Sequence, residues 1–259
     1  MFTIIIPTHQ RPMLLRRTLQ SLIDQTYKDF QVIVVDDSAA YIPPFGEMAA
    51  LAGRYTYIIR SGVNGPAESR NMGLDLARTP YVIFLDDDDT FAPSHLQSLA
   101  EQIGAGTPEL LFCNFSVVNE DRTQNPPTHL SGGTLDISPL TADSVYVINR
   151  IPNSCLVYRR DVVAQVRYPT DMIIYEDWDF LLACLKGRQL RHVPVSGVNI
   201  HKSVADAPEN FRRGNTRDDL IPQTMLDLYK KHPAPNMQTR MARLSLLTNA
   251  GVPVTLDQC

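Results

Sequence analysis

Residues 81–89 read Tyr-Val-Ile-Phe-Leu-Asp-Asp-Asp-Asp. Five strand-forming residues run straight into four consecutive carboxylates. The segment Tyr81–Leu85 is too apolar for a strand with one wet face, which places it inside a sheet. Four acids at the tip of a buried strand repel one another. The usual compensation is a divalent cation, Mn²⁺ or Mg²⁺, since both take oxygen ligands. Mg²⁺ keeps few protein carboxylates and completes its shell from water and substrate phosphates, so the tetrad points to a metal–diphosphate complex. The competing reading is an acidic loop that caps the next helix, with Pro93 near its first turn.

Outward from this strand the first half alternates. Strands are predicted at Phe2–Ile6, Gln31–Val35, Tyr55–Ile59, Tyr81–Leu85 and Glu109–Val118. Helices are predicted over residues 13–23, 45–52, 66–77 and 93–103. This βαβα rhythm specifies an α/β fold, a mainly parallel Rossmann-like sheet flanked by helices. Ligands bind such sheets outside the carboxyl ends of the strands. Pro7-Thr8, Asp36-Asp37 and Asp86–Asp89 all fall at those ends and converge on one edge.

The second half is less regular. Residues 119–133, rich in Asn, Thr, Pro and Gly, read as a loop. A strand is predicted at Ser154–Tyr158, a helix at Asp177–Leu185 ending before Gly187, and a strand at Leu190–Ile200. Two helical stretches, about 218–231 and 237–247, form a C-terminal extension from about residue 206. The reading is one catalytic domain over 1–205, with a nucleotide-binding half to about 118 and an acceptor-side half beyond it.

The 259 residues carry 44% hydrophobic and 20% charged side chains, an ordinary globular composition. A net charge of −4 gives no basic field for nucleic acid. No signal peptide and no membrane-spanning run are expected. The cysteines, Cys113, Cys155, Cys184 and Cys259, form no CxxC pair; three sit in apolar runs and read as buried thiols, in a reducing, cytoplasmic setting.

Several side chains are candidates for chemistry. Asp37 ends the second strand and reads equally as an acceptor for a base or ribose and as an Asx turn. Arg70 shares a helical face with Ala67, Leu74 and Ala77, so its charge needs a partner, either a cleft carboxylate or a ligand phosphate. Glu176-Asp177-Trp178-Asp179 opens a helix. Asp177 heads an inward stripe with Leu181 and Cys184 and is placed as a general base. Acidic residues that complement the helix dipole are the bland alternative. Trp178, the single Trp, reads as core or as a platform for a sugar ring. His201 follows a strand, where neutral imidazole suits either a structural role or a metal.

Taken in order, these residues resemble the family 2 glycosyltransferases of the GT-A fold. The matching segments are 4–12 (Ile-Ile-Ile-Pro-Thr-His-Gln-Arg-Pro), 19–38, Asn64-Gly65, 69–73 (Ser-Arg-Asn-Met-Gly) and 84–89. Ile151–Cys155, Arg159-Arg160 and Glu176-Asp177-Trp178 complete the set, and coverage runs from residue 2 to about 203. The resemblance implies inverting transfer of a sugar from a nucleotide diphosphate sugar, UDP by default, to the hydroxyl of a saccharide or lipid-linked acceptor. It implies that Pro7, Thr8, Arg11, Asp37 and Arg70 lie at the nucleotide. Asp86, Asp87 and Asp88 match the DxD motif, with Asp86 and Asp87 on the nucleotide side and Asp88 as the principal metal ligand. Asp177 matches the catalytic base, with Glu176 and Trp178 beside it toward the acceptor. His201 falls where many members carry a histidine near the diphosphate.

Two departures stand out. Arg167–Asp171 replaces the Gly-Phe-Asp that often precedes the Glu-Asp pair, and His9-Gln10 replaces a usual Tyr-Asn. Rival readings are a sugar-nucleotide nucleotidyltransferase and a non-catalytic sugar-nucleotide-binding subunit. Against the first, Pro7–Pro12 lacks the glycine-rich phosphate loop. Against the second, Asp88 and Asp177 are both present. The basic tail (Arg212, Arg213, Arg217, Lys230, Lys231) reads as a peripheral contact with anionic membrane, a solvated helix or a homodimer contact.

Overall fold

The acid-tipped strand lies inside the sheet, as its composition requires. The computed structural model describes residues 1–38, 42–62, 65–104, 106–205 and 217–259. Along the chain run β1 (Phe2–Thr8), α1 (Pro12–Ile23), β2 (Phe30–Asp36), α2 (Phe45–Ala50), β3 (Tyr55–Ile59), α3 (Pro66–Leu76) and β4 (Tyr81–Phe84). Next come β5 (Thr90–Phe91), α4 (His95–Gly104), β6 (Leu110–Asp121), β7 (Thr128–Leu135), α5 (Ala142–Val147), β8 (Leu156–Arg159) and α6 (Arg160–Val163). The chain closes with α7 (Glu176–Leu185), β9 (Leu190–Ala205), α8 (Ile221–Lys231) and α9 (Met237–Asn249).

One sheet carries these strands in the order β3-β2-β1-β4-β8-β6-β9-β5, with β7 also on β6. From β3 to β4 every pairing is parallel. From β8 onward the pairings are mixed. β8 is antiparallel to β4 and β6, while β6 and β9 run parallel. β1 and β4 are buried along their whole length, as the apolar runs Phe2–Ile6 and Tyr81–Phe84 demand.

Helix α3 crosses β1 and β2 closely. A Cβ at Gly73 would lie 2.4 Å from Ile5 Cγ2, so only glycine permits this approach. The buried stripe of α3 is Ala67, Arg70 and Leu74, continued by Ala77 just beyond its end, as its spacing predicts. Under the site, Phe84, Tyr158, Tyr168 and Phe180 form an aromatic cluster, with Tyr168 and Phe180 stacked at 4.0 Å. Gly187 takes φ +71° after α7, the left-handed stop that its position predicts.

The expected loop over 119–133 is corrected. β6 continues to Asp121, and Thr128 opens β7, which returns antiparallel with Asp121 opposite Thr128. The composition misleads because every residue of β7 is exposed. A strand without a buried face has no need of apolar alternation; the backbone ladder holds it, with side-chain bonds from Ser116 to Thr134 and from Asn119 to Ser131. Helices α5 and α6 were not read from the sequence. Both are short, and α5 is set by a Thr141/Ser144 capping box.

The C-terminal helices dock on α5. Arg243, fully buried, donates to the carbonyls of Tyr146, His232 and Cys259 and stacks 4.1 Å from the Tyr229 ring. The Tyr229 hydroxyl donates to the Val147 carbonyl at 2.6 Å. Within the basic tail, Arg212 and Arg213 lie outside the described residues. Lys231 is bound to Asp179 at 2.8 Å and Arg217 to Asp219 at 3.2 Å. Among the described residues no helix is long and apolar enough to cross a membrane.

Candidate active site

The parallel register puts Thr8 beside Asp36, so the ends of β1, β2 and β4 open onto one edge. A cleft of about 530 Å³ lies there, within the usual range for small-molecule sites. Its lining includes Pro7, Thr8, Arg11, Asp37, Arg70, Asp86, Asp87, Glu176 and Asp177. Nine of the candidate residues, from sequence positions 7 to 177, are therefore brought together. A larger cavity, about 750 Å³, lies between α8, α9 and the C-terminus, away from these groups. Asn64, part of the Asn-Gly motif, is outside the described residues.

On the β1 side, the Thr8 hydroxyl donates to Asp87 Oδ2 at 2.7 Å, and Arg11 donates to Asp87 Oδ1. Burial pushes Asp87 up to about 6. Arg11 opposes that shift and neighbouring Asp88 adds to it. On the β2 side, Asp37 is closely held. It takes His9 Nδ1 at 2.6 Å, Arg60 Nη2 at 3.0 Å and the Gly65 amide at 2.7 Å. The local turn bond falls to Asp36, whose Oδ1 takes the Ser38 amide at 2.8 Å, while Asp37 lines the cleft.

Arg70 joins three elements. Its guanidinium donates to Asp86 at 2.9 Å after β4 and to Glu176 at 3.0 Å at the start of α7. It also lies 5.2 Å from the Tyr168 ring. The cleft carboxylates are its partners. Arg70 thereby fixes the position of α7, whose preceding residue Tyr175 adopts φ +64°. For a non-glycine residue that conformation costs on the order of 1 kcal/mol or more.

Asp177 faces the cleft one residue further on. Burial pushes its carboxyl up to about 6, with Glu176 adding to the shift and Arg70 opposing it. Its Oδ1 accepts from the Trp178 amide at 2.8 Å. A carboxyl that titrates just below neutrality on a cleft wall has the proton affinity a general base needs.

Two open readings on this helix are decided by burial. Trp178 is 1% exposed, and its indole donates to the Val145 carbonyl at 2.8 Å, so it is core and not a sugar platform. Asp179 does not complement the helix dipole from outside. It is buried against Lys231 and His232. Burial opposes its charge, but bonds from His232 and Lys231 prevail and hold it below the carboxylate range.

Asp88 and His201 take a different arrangement from the expected ligand pair. Asp88 is buried and does not line the cleft. Its Oδ2 takes Arg122 Nη1 at 2.9 Å, with Arg11 Nη1 at 3.6 Å. Both His201 nitrogens are engaged, Nε2 with Thr90 Oγ1 at 2.9 Å and Nδ1 with Glu120 at 3.0 Å. Among the described residues no three His, Cys, Asp or Glu side chains are grouped to hold a metal. A cation shared by Asp88 and His201 does not fit this arrangement, because the Arg122 guanidinium already stands at Asp88 Oδ2 and both His201 ring nitrogens are engaged by Thr90 and Glu120. Asp89, last of the tetrad, accepts from the Ser154 hydroxyl at 2.7 Å and the His201 amide at 3.2 Å.

The residues missed in the sequence are the cations of this region: Arg17, Arg60 and Arg122. Arg17 shares helix α1 with buried Thr18, whose hydroxyl donates to the carbonyls of Asp87 and Asp89. A polar residue on the apolar face of α1 was the available signal. Arg122 gave none, because it stands in the segment read as a loop.

The Glycosyl transferase family 2 model matches residues 3–167, and the chain belongs to that family. Succinoglycan biosynthesis protein ExoW of Rhizobium meliloti (strain 1021) is 29% identical across 89% of this chain and 80% of its own length. Amylovoran biosynthesis glycosyltransferase AmsB of Erwinia amylovora is 30% identical across 73% of this chain and 64% of its own. Among solved structures, S. aureus TarS 1–349 in complex with UDP-GlcNAc superposes with a TM-score of 0.69 at 16% identity. That match covers 95% of this chain and 71% of the other, and it shows the shared fold.

Proposed function

We propose that the chain transfers a sugar, with inversion, from a nucleotide diphosphate sugar to an acceptor hydroxyl in the synthesis of a polysaccharide. The observation that carries this reading is Asp177. It is a carboxyl raised to about 6, facing across one cleft the ends of the parallel strands, where Thr8, Asp37, Asp86 and Asp87 stand. The names of ExoW and AmsB, succinoglycan and amylovoran biosynthesis, support the pathway class. The UDP-GlcNAc complex of TarS supports a UDP-sugar as donor.

In this mechanism the acceptor oxygen attacks the anomeric carbon from the face opposite the diphosphate. The new C–O bond forms as the bond from the anomeric carbon to the phosphate oxygen breaks. The acceptor proton passes to Asp177, and the nucleotide diphosphate leaves with the electron pair. Arg11 and Arg70 line the cleft and offset charge on the departing group. The acceptor, a saccharide hydroxyl that is free or lipid-linked, approaches past Glu176 and Asp177.

The test is to incubate the protein with UDP-, GDP- and dTDP-sugars and oligosaccharide acceptors. Diphosphate release is followed, and the product anomer is assigned by NMR. Release of one nucleoside diphosphate with an inverted product supports the reading. A retained anomer, or no release with any pair, overturns it. Pyrophosphate released from a nucleoside triphosphate would assign a nucleotidyltransferase instead.

A further inference from the structure

We propose that Arg122 is a built-in counter-cation for Asp88, occupying the place of a divalent ion, so that this chain binds its nucleotide diphosphate without a metal. The inference rests on the nucleotide site proposed above. It concerns how the charge of that site is balanced.

The guanidinium of Arg122 stands between the two residues expected to share a metal. Nη1 donates to Asp88 Oδ2 at 2.9 Å, and Nη2 donates to the backbone carbonyl of His201 at 2.9 Å. Nε donates to Glu120 Oε1 at 2.8 Å. Each of the three nitrogens thus has a named acceptor, and the side chain is 2% exposed. The planar fork suits this role, since it is always charged and its donors are fixed in direction.

The surrounding groups hold the arrangement. Arg17 donates to Glu120 Oε2 at 2.7 Å and to the Asp88 carbonyl at 2.8 Å. The Glu120 carboxylate holds both guanidinium groups, Arg17 on Oε2 and Arg122 on Oε1. Glu120 Oε2 lies 3.0 Å from His201 Nδ1, and the Thr90 hydroxyl lies 2.9 Å from Nε2, so both ring nitrogens have partners. Asp87, Asp88 and Glu120 are matched by Arg11, Arg17 and Arg122. A dication at Asp88 would enter against the Arg122 charge in a buried setting, where like charges repel strongly. Expelling Arg122 would break its ion pair with Glu120 as well.

The test uses the wild-type protein with UDP, GDP and dTDP as probes. Binding is measured calorimetrically in EDTA and in Mn²⁺, and Mn²⁺ uptake is read by electron paramagnetic resonance with and without nucleotide. The expected result is equal affinity in both conditions and no Mn²⁺ uptake. Arg122→Met should then take up Mn²⁺ and weaken binding in EDTA by about tenfold. Arg122→Lys, which keeps the charge but not the fork, should still take up no Mn²⁺. Wild-type uptake of one Mn²⁺, or binding about tenfold tighter with Mn²⁺, overturns the proposal. If no nucleotide binds under either condition, the donor reading fails, and Mn²⁺ uptake still decides this one: uptake by the wild type is against it, uptake by Arg122→Met alone is for it. Should Arg122→Met not fold, the wild-type measurements decide.

Discussion

The aspartate tetrad divides between two regions that differ in charge balance. Toward the cleft, Asp86, Asp87, Glu176 and Asp177 outnumber Arg11 and Arg70 among the described residues, and Asp87 and Asp177 are pushed up to about 6. Toward the interior, Asp88 and Glu120 meet Arg17 and Arg122, and Glu120 is held low. The two sets share consecutive residues of one turn. Acid is left in excess where a ligand can enter and is neutralised where none can. This is the arrangement expected when unbalanced charge is kept for chemistry and balanced charge for structure.

The sharpest way to break this contrast is Asp177→Asn. Transfer should fall by about 10²–10⁴-fold, because a general base is lost. Thermal stability at pH 8 should rise by about 2–4 °C, since a buried, repelled charge is removed. A variant that transfers at the wild-type rate, or that melts lower, would deny Asp177 its place on the unbalanced side.

The pH profile follows from the same group. The base form of Asp177 is populated above about 6, so kcat/KM should fall about tenfold per unit below that value. The stability terms have opposite signs. The raised values of Asp87 and Asp177 stabilise the fold at low pH, and this contribution is lost as pH rises through about 6. Glu120, lowered in the fold, stabilises above its unfolded value, and that contribution is lost as pH falls. A flat rate profile between pH 5 and 7, an interval chosen to bracket the Asp177 value, would remove the assignment.

On the balanced side, Glu120→Ala should cost about 3–5 kcal/mol in urea unfolding, because it leaves two guanidinium groups without their shared partner. A loss under about 1 kcal/mol would show that this region behaves as a solvated surface. The smallest effect belongs to Trp178→Phe, which sits behind both regions. Losing the bond to the Val145 carbonyl should cost about 1–3 kcal/mol, with KM for donor and acceptor unchanged. A raised acceptor KM would restore the sugar-platform role that burial denies it.

Much of this was legible in the chain. The apolar runs of β1, β2 and β4 each end in a polar segment, and parallel pairing forces those ends onto one edge. Pro7, Thr8, Asp37, Asp86 and Asp87 could therefore be named from linear position alone. The periodicity of α3 gave the buried face of Arg70, and the order of the acids at the start of α7 turned Asp177 inward. The failures share one cause. β7, Asp179 and Arg122 are set by what lies opposite them, at separations from 7 to 79 residues, and no local pattern reports such a partner.

The sequence by itself determined the α/β alternation, the ligand edge and the residues lining it, because these follow from hydrophobic period and strand direction. Only the tertiary structure decided which acids line the cleft and which are buried against Arg17 and Arg122. Electrostatic energy depends on distance through space, and the β6–β7 hairpin brings Arg122 within 2.9 Å of Asp88, 34 positions earlier in the chain.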